Sequence, residues 1–264
     1  MSSNLLGVRL DANLLELLLF MPKNKPMPES DTTAAIELES AVRDQNAGDV
    51  SGAKRSYRHA VELGSSTDSP FELEAAAKAA FALALMQAES PISGIDRMSY
   101  QTAKELARRA GTSEGLETGA QASFNLASLA SDSGDTGSAV SSYIDALELG
   151  RRSETQVGRE AAAASAFNLG LLLEDVGKYA EASQAYRYGV DLGRKSESGA
   201  GYEAAAKSAF GLGLLLSRDD NHDSAKVSYR IAEELGKLSN TSEGFEAAQK
   251  ASYNNNLLLR DQDN

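Results

Sequence analysis

The sequence predicts an all-α solenoid in which antiparallel helix pairs repeat along the chain. The first observation behind this prediction is a repeat: several residue types return every 43 residues, without a gap, through most of the 264 residues. A period of roughly 20 to 50 residues is typical of stacked repeat architectures. The second observation is that the repeated segments are rich in Ala and Leu, which are strong helix formers. The third is that Gly and short polar stretches, which punctuate helices, separate these segments.

Four columns of residues define the register of the repeat. The aromatic column contains Phe81, Phe124, Phe167, Phe210 and Tyr253. The tyrosine column contains Tyr57, Tyr100, Tyr143, Tyr186 and Tyr229. The leucine column contains Leu63, Leu106, Leu149, Leu192 and Leu235. The acidic column contains Asp31, Glu74, Glu117, Glu160, Glu203 and Glu246. Because four independent columns keep one register, coincidence is excluded as their origin.

Each unit is predicted to contain two helices. In the fourth unit the first helix covers residues 160–175 and ends near Gly177, since glycine suits the left-handed turn that stops a helix. The second helix covers residues 179–193, where apolar residues at three- and four-residue spacing mark one buried face. A polar stretch then leads to the next unit. One helix start is explicit, because Ser69 and Glu72 form a capping box.

The residues at the conserved-looking positions of the fourth unit carry a family resemblance. These are Leu169, Gly170, Gly177, Ala182, Tyr186, Gly189 and Leu192. They resemble the tetratricopeptide signature, and the match recurs from about residue 31 to the end. The unit is longer than the usual one of about 34 residues, and in this it is similar to the repeats of kinesin light chain, animal spindle-orientation adaptors and bacterial peptide-sensing regulators. Sel1-like repeats place their extra residues inside the unit, where this chain has only a short turn. The resemblance implies a right-handed α-solenoid of five helix pairs and a C-terminal capping helix, with the first helices on the concave side.

Two regions of different character divide the chain. Residues 31–264 form the predicted solenoid, and within it Pro91 predicts an irregular turn in the second unit. Residues 1–30 lie outside the repeat, and three of the five prolines fall within residues 22–30, which predicts a linker. The leucine-rich run at residues 14–19 favours aggregation if exposed, so we expect something to cover it. Two hypotheses remain open: the segment caps the first unit, or it occupies the concave groove as a latch that an incoming peptide displaces.

The charge and composition exclude several classes of function. The chain has 26 Lys and Arg against 38 Asp and Glu, and the formal charge of −12 repels nucleic-acid phosphates. The apolar run at residues 14–21 contains Glu16 and is too short to span a bilayer. No basic segment and no small-residue cleavage site mark a secretory signal. We therefore expect a soluble, cytoplasmic protein that binds neither nucleic acid nor membranes.

The sequence contains no pattern typical of a catalytic or metal site. Cysteine is absent, which excludes thiolate ligands and cysteine nucleophiles. His59 and His222 are the only histidines, and they lie in different units without partners at metal-ligand spacing. The acidic run at residues 219–223 lacks the Gly and terminal Glu of a calcium loop, which favours a solvated turn. We thus expect no enzyme activity, no catalytic residue, no metal and no cofactor.

The acidic column has two interpretations. Stacked carboxylates could bind cations or a basic ligand. Each acid is also predicted to lie in the first turn of its helix, where the helix dipole favours a negative side chain. The physical argument favours the second, purely structural interpretation.

The resemblance implies that the chain is a protein-interaction module, an adaptor or scaffold that binds a partner helix or peptide in its concave groove. The predicted groove residues are Phe81, Phe124, Asn125, Phe167, Asn168, Leu171, Phe210, Leu214, Tyr253 and Asn254. The aromatic column has two equally weighted interpretations, groove lining and ordinary core. The net negative charge favours a basic partner. The alternative function is a self-associating structural scaffold of a larger assembly, and the sequence leaves the oligomeric state open.

Overall fold

The computed structural model describes residues 33–88 and 95–260, and within these residues it contains eleven helices and no strand. Their bounds are α1 Ala34–Asn46, α2 Val50–Ser65, α3 Pro70–Ala88, α4 Ile95–Ala110, α5 Ser113–Asp132, α6 Thr136–Ser153, α7 Gln156–Asp175, α8 Tyr179–Ser196, α9 Gly199–Arg218, α10 His222–Ser239 and α11 Ser242–Arg260. The predicted apolar segment and linker at residues 1–30, and the turn around Pro91, lie outside the described residues.

Short links hold the helices in antiparallel pairs. Three residues join the two helices of the first, third, fourth and fifth units, and two residues join consecutive units after α4, α6, α8 and α10. Links this short leave consecutive helices no choice but to pack side by side in opposite directions. The prediction of an all-α solenoid of helix pairs is confirmed.

The first helix of each unit lies on the inner side of the solenoid. The first helices α1, α3, α5, α7, α9 and α11 pack against the first helix of the next unit as well as against their own partner. The second helices of consecutive units do not reach comparable contact with each other. Closer spacing of the first helices places them on the concave surface, which is the surface that solenoids use for binding.

The helix bounds differ from the sequence prediction between the units. The predicted bounds of residues 160–175 and 179–193 are wrong, because the helices run over Gln156–Asp175 and Tyr179–Ser196. The extra length of the unit is therefore helical, and only Glu154 and Thr155 separate α6 from α7. Glu154 adopts a left-handed conformation with φ 58°. The Thr155 hydroxyl accepts a 3.0 Å hydrogen bond from the Gly158 amide and so caps α7.

Small residues allow the second helix of one unit to cross closely over the first helix of the next. A Cβ at Gly150 of α6 would collide with the carbonyl oxygen of Gly158 in α7. The hydroxyl of Ser153 donates a 2.8 Å hydrogen bond back to the Gly150 carbonyl. The same arrangement returns at the next two junctions, where Gly193 and Gly236 hold the equivalent position. These junctions keep the unit length constant, because neither helix can slide without a collision.

The tyrosine column forms the core of each unit, as expected. All five of its members are buried. Tyr186 packs against Gly170 of its own unit and Gly211 of the next, where an added Cβ would strike its ring. Its hydroxyl donates a 2.6 Å hydrogen bond to Glu174 Oε2 at the end of α7. A single aromatic side chain thus joins two units and ties the two helices of one unit together.

The acidic column lies one turn later than predicted. Glu160, like the other described members, is the fifth residue of its helix and not part of the first turn. The helix dipole acts mainly within the first turn, so the dipole explanation for this column is wrong. Asp31 lies outside the described residues. The column instead faces the inner surface, where it takes part in ion pairs with lysines.

None of the helices within residues 33–88 and 95–260 combines the length and the hydrophobicity that a membrane span requires.

Candidate peptide-binding groove

One stripe of each first helix remains accessible on the inner side of the solenoid. In α7 the stripe contains Val157, Glu160, Ala164, Phe167, Leu171 and Glu174, all of which are half-buried. Their spacing of three and four residues places them on one face. Since α5 and α9 flank α7 while α6 and α8 pack behind it, this face looks toward the inner side. We call the combined stripes of α3, α5, α7, α9 and α11 the groove.

The aromatic column is divided between the core and the groove. Phe81 and Phe124 are only 1% and 2% exposed, so they belong to the core. Phe167 and Phe210 are half-buried, and Tyr253 is exposed. In the first four of these units the ring also packs against the tyrosine of its own unit, with centroid separations from 5.7 to 6.2 Å. Both interpretations of the column therefore apply, each to different members.

A column of leucines one turn further along the first helices gives the groove its most accessible apolar side chains. Leu214 of α9 is 42% exposed, and Leu171 of α7 is half-buried. Leu257 of α11 lies 43 residues after Leu214 and is exposed as well. Sequence reasoning did not single out Leu257, although its place in the 43-residue register identifies it. Together with Phe167 and Phe210 these leucines form the apolar half of the groove.

The three predicted groove asparagines have different environments. Asn168 is buried and makes a side-chain hydrogen bond to Tyr143 of the preceding unit. Asn125 is half-buried. Asn254 is also half-buried, and its side-chain amide donates a 2.8 Å hydrogen bond to the Lys250 carbonyl of its own helix. Asn168 therefore links two units of the solenoid.

The other half of the groove is charged. Glu74 and Lys78 form a pair with 2.9 Å between Oε1 and Nζ, and Lys78 also contacts Glu114 of the next unit. Glu203 and Lys207 form the equivalent pair at 2.5 Å. Burial on its own lowers the pKa of Lys78, but Glu74 and Glu114 outweigh burial and raise it. These lysines are therefore charged and held by their carboxylates.

The centre of the groove contains carboxylates without such a lysine. Glu117 and Glu160 hold the acidic column in the third and fourth units, and neither forms a salt bridge within the described part of the chain. Burial raises the pKa of the Glu117 carboxyl, and the negative charges of Glu114 and Glu160 add to the rise, whereas a hydrogen bond with Thr155 and the charge of Lys78 oppose it. The centre of the groove is thus a place where negative charge is incompletely balanced.

Elsewhere the structure offers one cleft and no metal cluster. Across residues 33–88 and 95–260, no three His, Cys, Asp or Glu side chains are grouped so that they could hold a metal ion. The ring of His59 lies 3.1 Å from Glu37, and His222 lies 4.0 Å from Asp220. A cleft of about 470 Å³ between α8 and α10 is lined by residues such as Arg187 and Ile231. This cleft lies on the second helices, away from the groove.

Comparisons with known proteins agree with this architecture. Residues 120–150, within α5 and α6, match a family model described as tetratricopeptide repeat. A sequence search of curated proteins finds no match. The fold is similar to that of the apo form of RapI, with a TM-score of 0.57 and 17% identity over 85% of this chain. The chain spans 58% of the length of RapI.

Two further solved structures match over most of their lengths at lower similarity. MamA has a TM-score of 0.43 and 15% identity, covering 75% of this chain and 94% of its own. BtubC from P. vanneervenii has a TM-score of 0.43 and 16% identity, covering 88% of this chain and 93% of its own.

Proposed function

We propose that this chain, a tetratricopeptide-repeat protein, binds another protein by holding a helix or extended peptide of that partner in its groove. Solenoid repeats create extended concave surfaces, and such surfaces are used for binding. The proposal makes the chain an adaptor or scaffold, and it assigns no chemistry to the groove itself.

The observation that carries the proposal is the accessible apolar surface on the inner side. The groove presents Phe167 and Leu171 on α7, and Phe210 and Leu214 on α9. A leucine that is 42% exposed gains free energy when a partner covers it, at about 25 cal/mol for each Å² of apolar surface removed from water. An amphipathic helix would supply apolar side chains at the same three- and four-residue spacing.

The structure narrows the set of groove residues that can contact a partner. Phe81 and Phe124 are buried and Asn168 is committed to Tyr143, so we propose that they shape the groove from beneath. The direct contacts are then assigned to Phe167, Leu171, Phe210, Leu214, Tyr253 and the newly identified Leu257.

A matched pair of substitutions tests the proposal. The purified chain is panned against a phage library of random 16-residue peptides, and the affinities of selected synthetic peptides are measured by fluorescence anisotropy. Leu214→Ser should weaken binding by about tenfold, because a buried leucine anchor contributes more than 1 kcal/mol. Leu238→Ser is the control, since Leu238 is a 54% exposed leucine on the second helix α10.

The outcomes separate the groove from other surfaces. Equal losses from both substitutions, or no loss from Leu214→Ser, would place the selected peptides outside the groove. If the library yields no peptide that binds the folded chain, the proposal fails as well. Thermal unfolding of both variants checks that neither substitution acts through stability.

A further inference from the structure

The charged half of the groove has a regular pattern with a gap at its centre. A glutamate of the acidic column is followed four residues later by a lysine in three first helices, and each such Glu–Lys pair is here called a rung. The rungs are Glu74–Lys78 on α3, Glu203–Lys207 on α9 and Glu246–Lys250 on α11. On α5 and α7 the glutamates remain, but Gln121 and Ala164 stand at the lysine position. Two adjacent rungs therefore have an acid and no base.

The carboxylates of these two rungs receive only neutral partners. Glu117 takes part in a hydrogen bond with Thr155, and Glu160 accepts a 3.1 Å hydrogen bond from Gln156 Nε2. Lys78 is near enough to act on Glu117 electrostatically, but its amine already contacts Glu74 and Glu114. Two half-buried carboxylates on neighbouring helices repel each other more strongly than exposed ones, because water screens them less.

A second, independent observation at the same level of the groove concerns Gln121. Its side chain is on the face of α5 that carries Glu117, one helical turn further along. It is only 2% exposed, and its Nε2 atom has no hydrogen-bond partner. Buried amide groups are almost always hydrogen-bonded, so an enclosed donor without an acceptor points to a missing group. The centre of the groove thus lacks both a cation and a hydrogen-bond acceptor.

One side chain is large enough to supply the missing charge and small enough to fit where this chain has an alanine. Lys78 and Lys207 occupy the lysine position in their own rungs. Ala164 leaves that volume open beside Glu160. A peptide residue with a basic side chain brings the cation, and its backbone brings carbonyl oxygens that accept hydrogen bonds.

We propose that the two incomplete rungs, Glu117 with Gln121 and Glu160 with Ala164, bind a lysine or arginine side chain of the partner peptide. In this arrangement the peptide's cation replaces the lysines that the other rungs supply internally, and a neighbouring peptide carbonyl accepts a hydrogen bond from Gln121 Nε2. The inference rests on the proposed function and deepens it, because it names the partner as a basic peptide.

The spacing along α7 sets the register of that peptide. Glu160 and Phe167 are seven residues apart, which is about 10 Å along a helix, and Leu171 is about 16 Å from Glu160. An extended peptide advances roughly 3.3 Å per residue. Its basic residue should therefore lie about three to five positions from its apolar anchor.

The test uses the same random 16-residue phage library on the full chain. Peptides selected on the unmodified protein should be enriched in Lys or Arg, three to five positions from an apolar residue. The double variant Gln121→Lys with Ala164→Lys completes both rungs internally and should bind a selected peptide at least tenfold more weakly. It should affect a synthetic copy of the peptide with norleucine in place of the basic residue far less.

A matched control keeps the net charge equal. Gln101 and Gln184 are exposed on the second helices α4 and α8, and changing both to Lys adds the same two charges as the groove variant. This control should bind within about twofold of the unmodified protein, since exposed charges beyond roughly 8 Å are screened at physiological salt. If both double variants weaken binding equally, the effect is one of overall charge and the inference is overturned.

A second variant guards against misfolding of the lysine variant. Glu117→Gln with Glu160→Gln keeps the shape of both side chains and removes both charges, and it should also weaken binding about tenfold or more. Selected peptides that lack basic residues, or that bind this variant as well as the unmodified protein, would overturn the inference. If such peptides still lose affinity with Leu214→Ser, the groove function stands while the basic partner is wrong. If they do not, the groove function fails too.

Discussion

Replacement of Tyr186 tests whether the tyrosine column holds the units together. Tyr186→Ala removes a fully buried ring that packs between Gly170 and Gly211. Large-to-small changes at buried aromatic positions cost about 3–5 kcal/mol. The cost depends on how well neighbours collapse into the cavity, and here two of the walls are glycines with no side chain to move inward. We therefore expect the upper half of that range, about 4–5 kcal/mol.

The contribution of the hydroxyl can be separated from that of the ring. Tyr186→Phe removes only the 2.6 Å hydrogen bond to Glu174. Hydrogen bonds to charged groups contribute about 1.5–3 kcal/mol when buried. Glu174 is half-buried and water can replace the phenol, so we expect a loss of about 1 kcal/mol. The ring should then account for roughly 3–4 kcal/mol of the effect of Tyr186→Ala.

Urea unfolding followed by circular dichroism measures both values. Tyr188→Ala in the same helix is the control, because Tyr188 is exposed, and such surface changes stay within about 0.5 kcal/mol. If Tyr186→Ala costs no more than this control, the tyrosine column does not join the units and the packing argument is refuted.

Two further predictions concern alkaline pH and the N-terminal segment. Between pH 10 and 12 the free energy of unfolding should fall by up to ~4 kcal/mol per pH unit, because burial raises the pKa of Tyr57 and Tyr143 to about 12 and also raises that of Tyr186. The unfolded chain releases these protons near pH 10 and the folded chain does not, so unchanged melting between pH 8 and 11 would contradict burial. Deleting residues 1–21 should lower the melting temperature if the segment is a cap. Tighter peptide binding at unchanged stability would identify a latch instead.

The fold could be predicted because the register is carried by side chains that pack within and between units. The tyrosine column recurs every 43 residues, and each member is buried in the same way. Helix bounds were harder to predict, since Glu154 and Glu197 adopt the left-handed conformation where glycine is the usual signal. The overlooked signal was a column of capping residues. Thr112, Thr155, Ser198 and Thr241 follow the recognised cap Ser69 at 43-residue steps.

The candidate site could be predicted only in part, because residues at equivalent positions of the repeat do not have equivalent surroundings. Phe124 and Phe167 occupy the same position in adjacent units, yet one is core and the other is half-buried. Their exposure depends on the side chains of the neighbouring first helices, which differ between units. The incomplete rungs follow the same logic in reverse. Gln121 and Ala164 are ordinary residues in isolation, and they become informative only beside Lys78 and Lys207.

The distribution of charge explains why a basic partner would bind the groove and not simply any acidic part of the surface. The formal charge of −12 attracts cations over the whole molecule, but at physiological salt this attraction is screened within about 8 Å. It can accelerate an encounter without selecting a position. In three first helices the groove carboxylates are already paired with lysines, so a peptide gains little by approaching them. Glu117 and Glu160 are half-buried and lack a lysine of their own, and a cation that reaches them balances charge that water screens poorly. Position along the groove is therefore selected by the two incomplete rungs, while the overall charge acts on the rate of arrival.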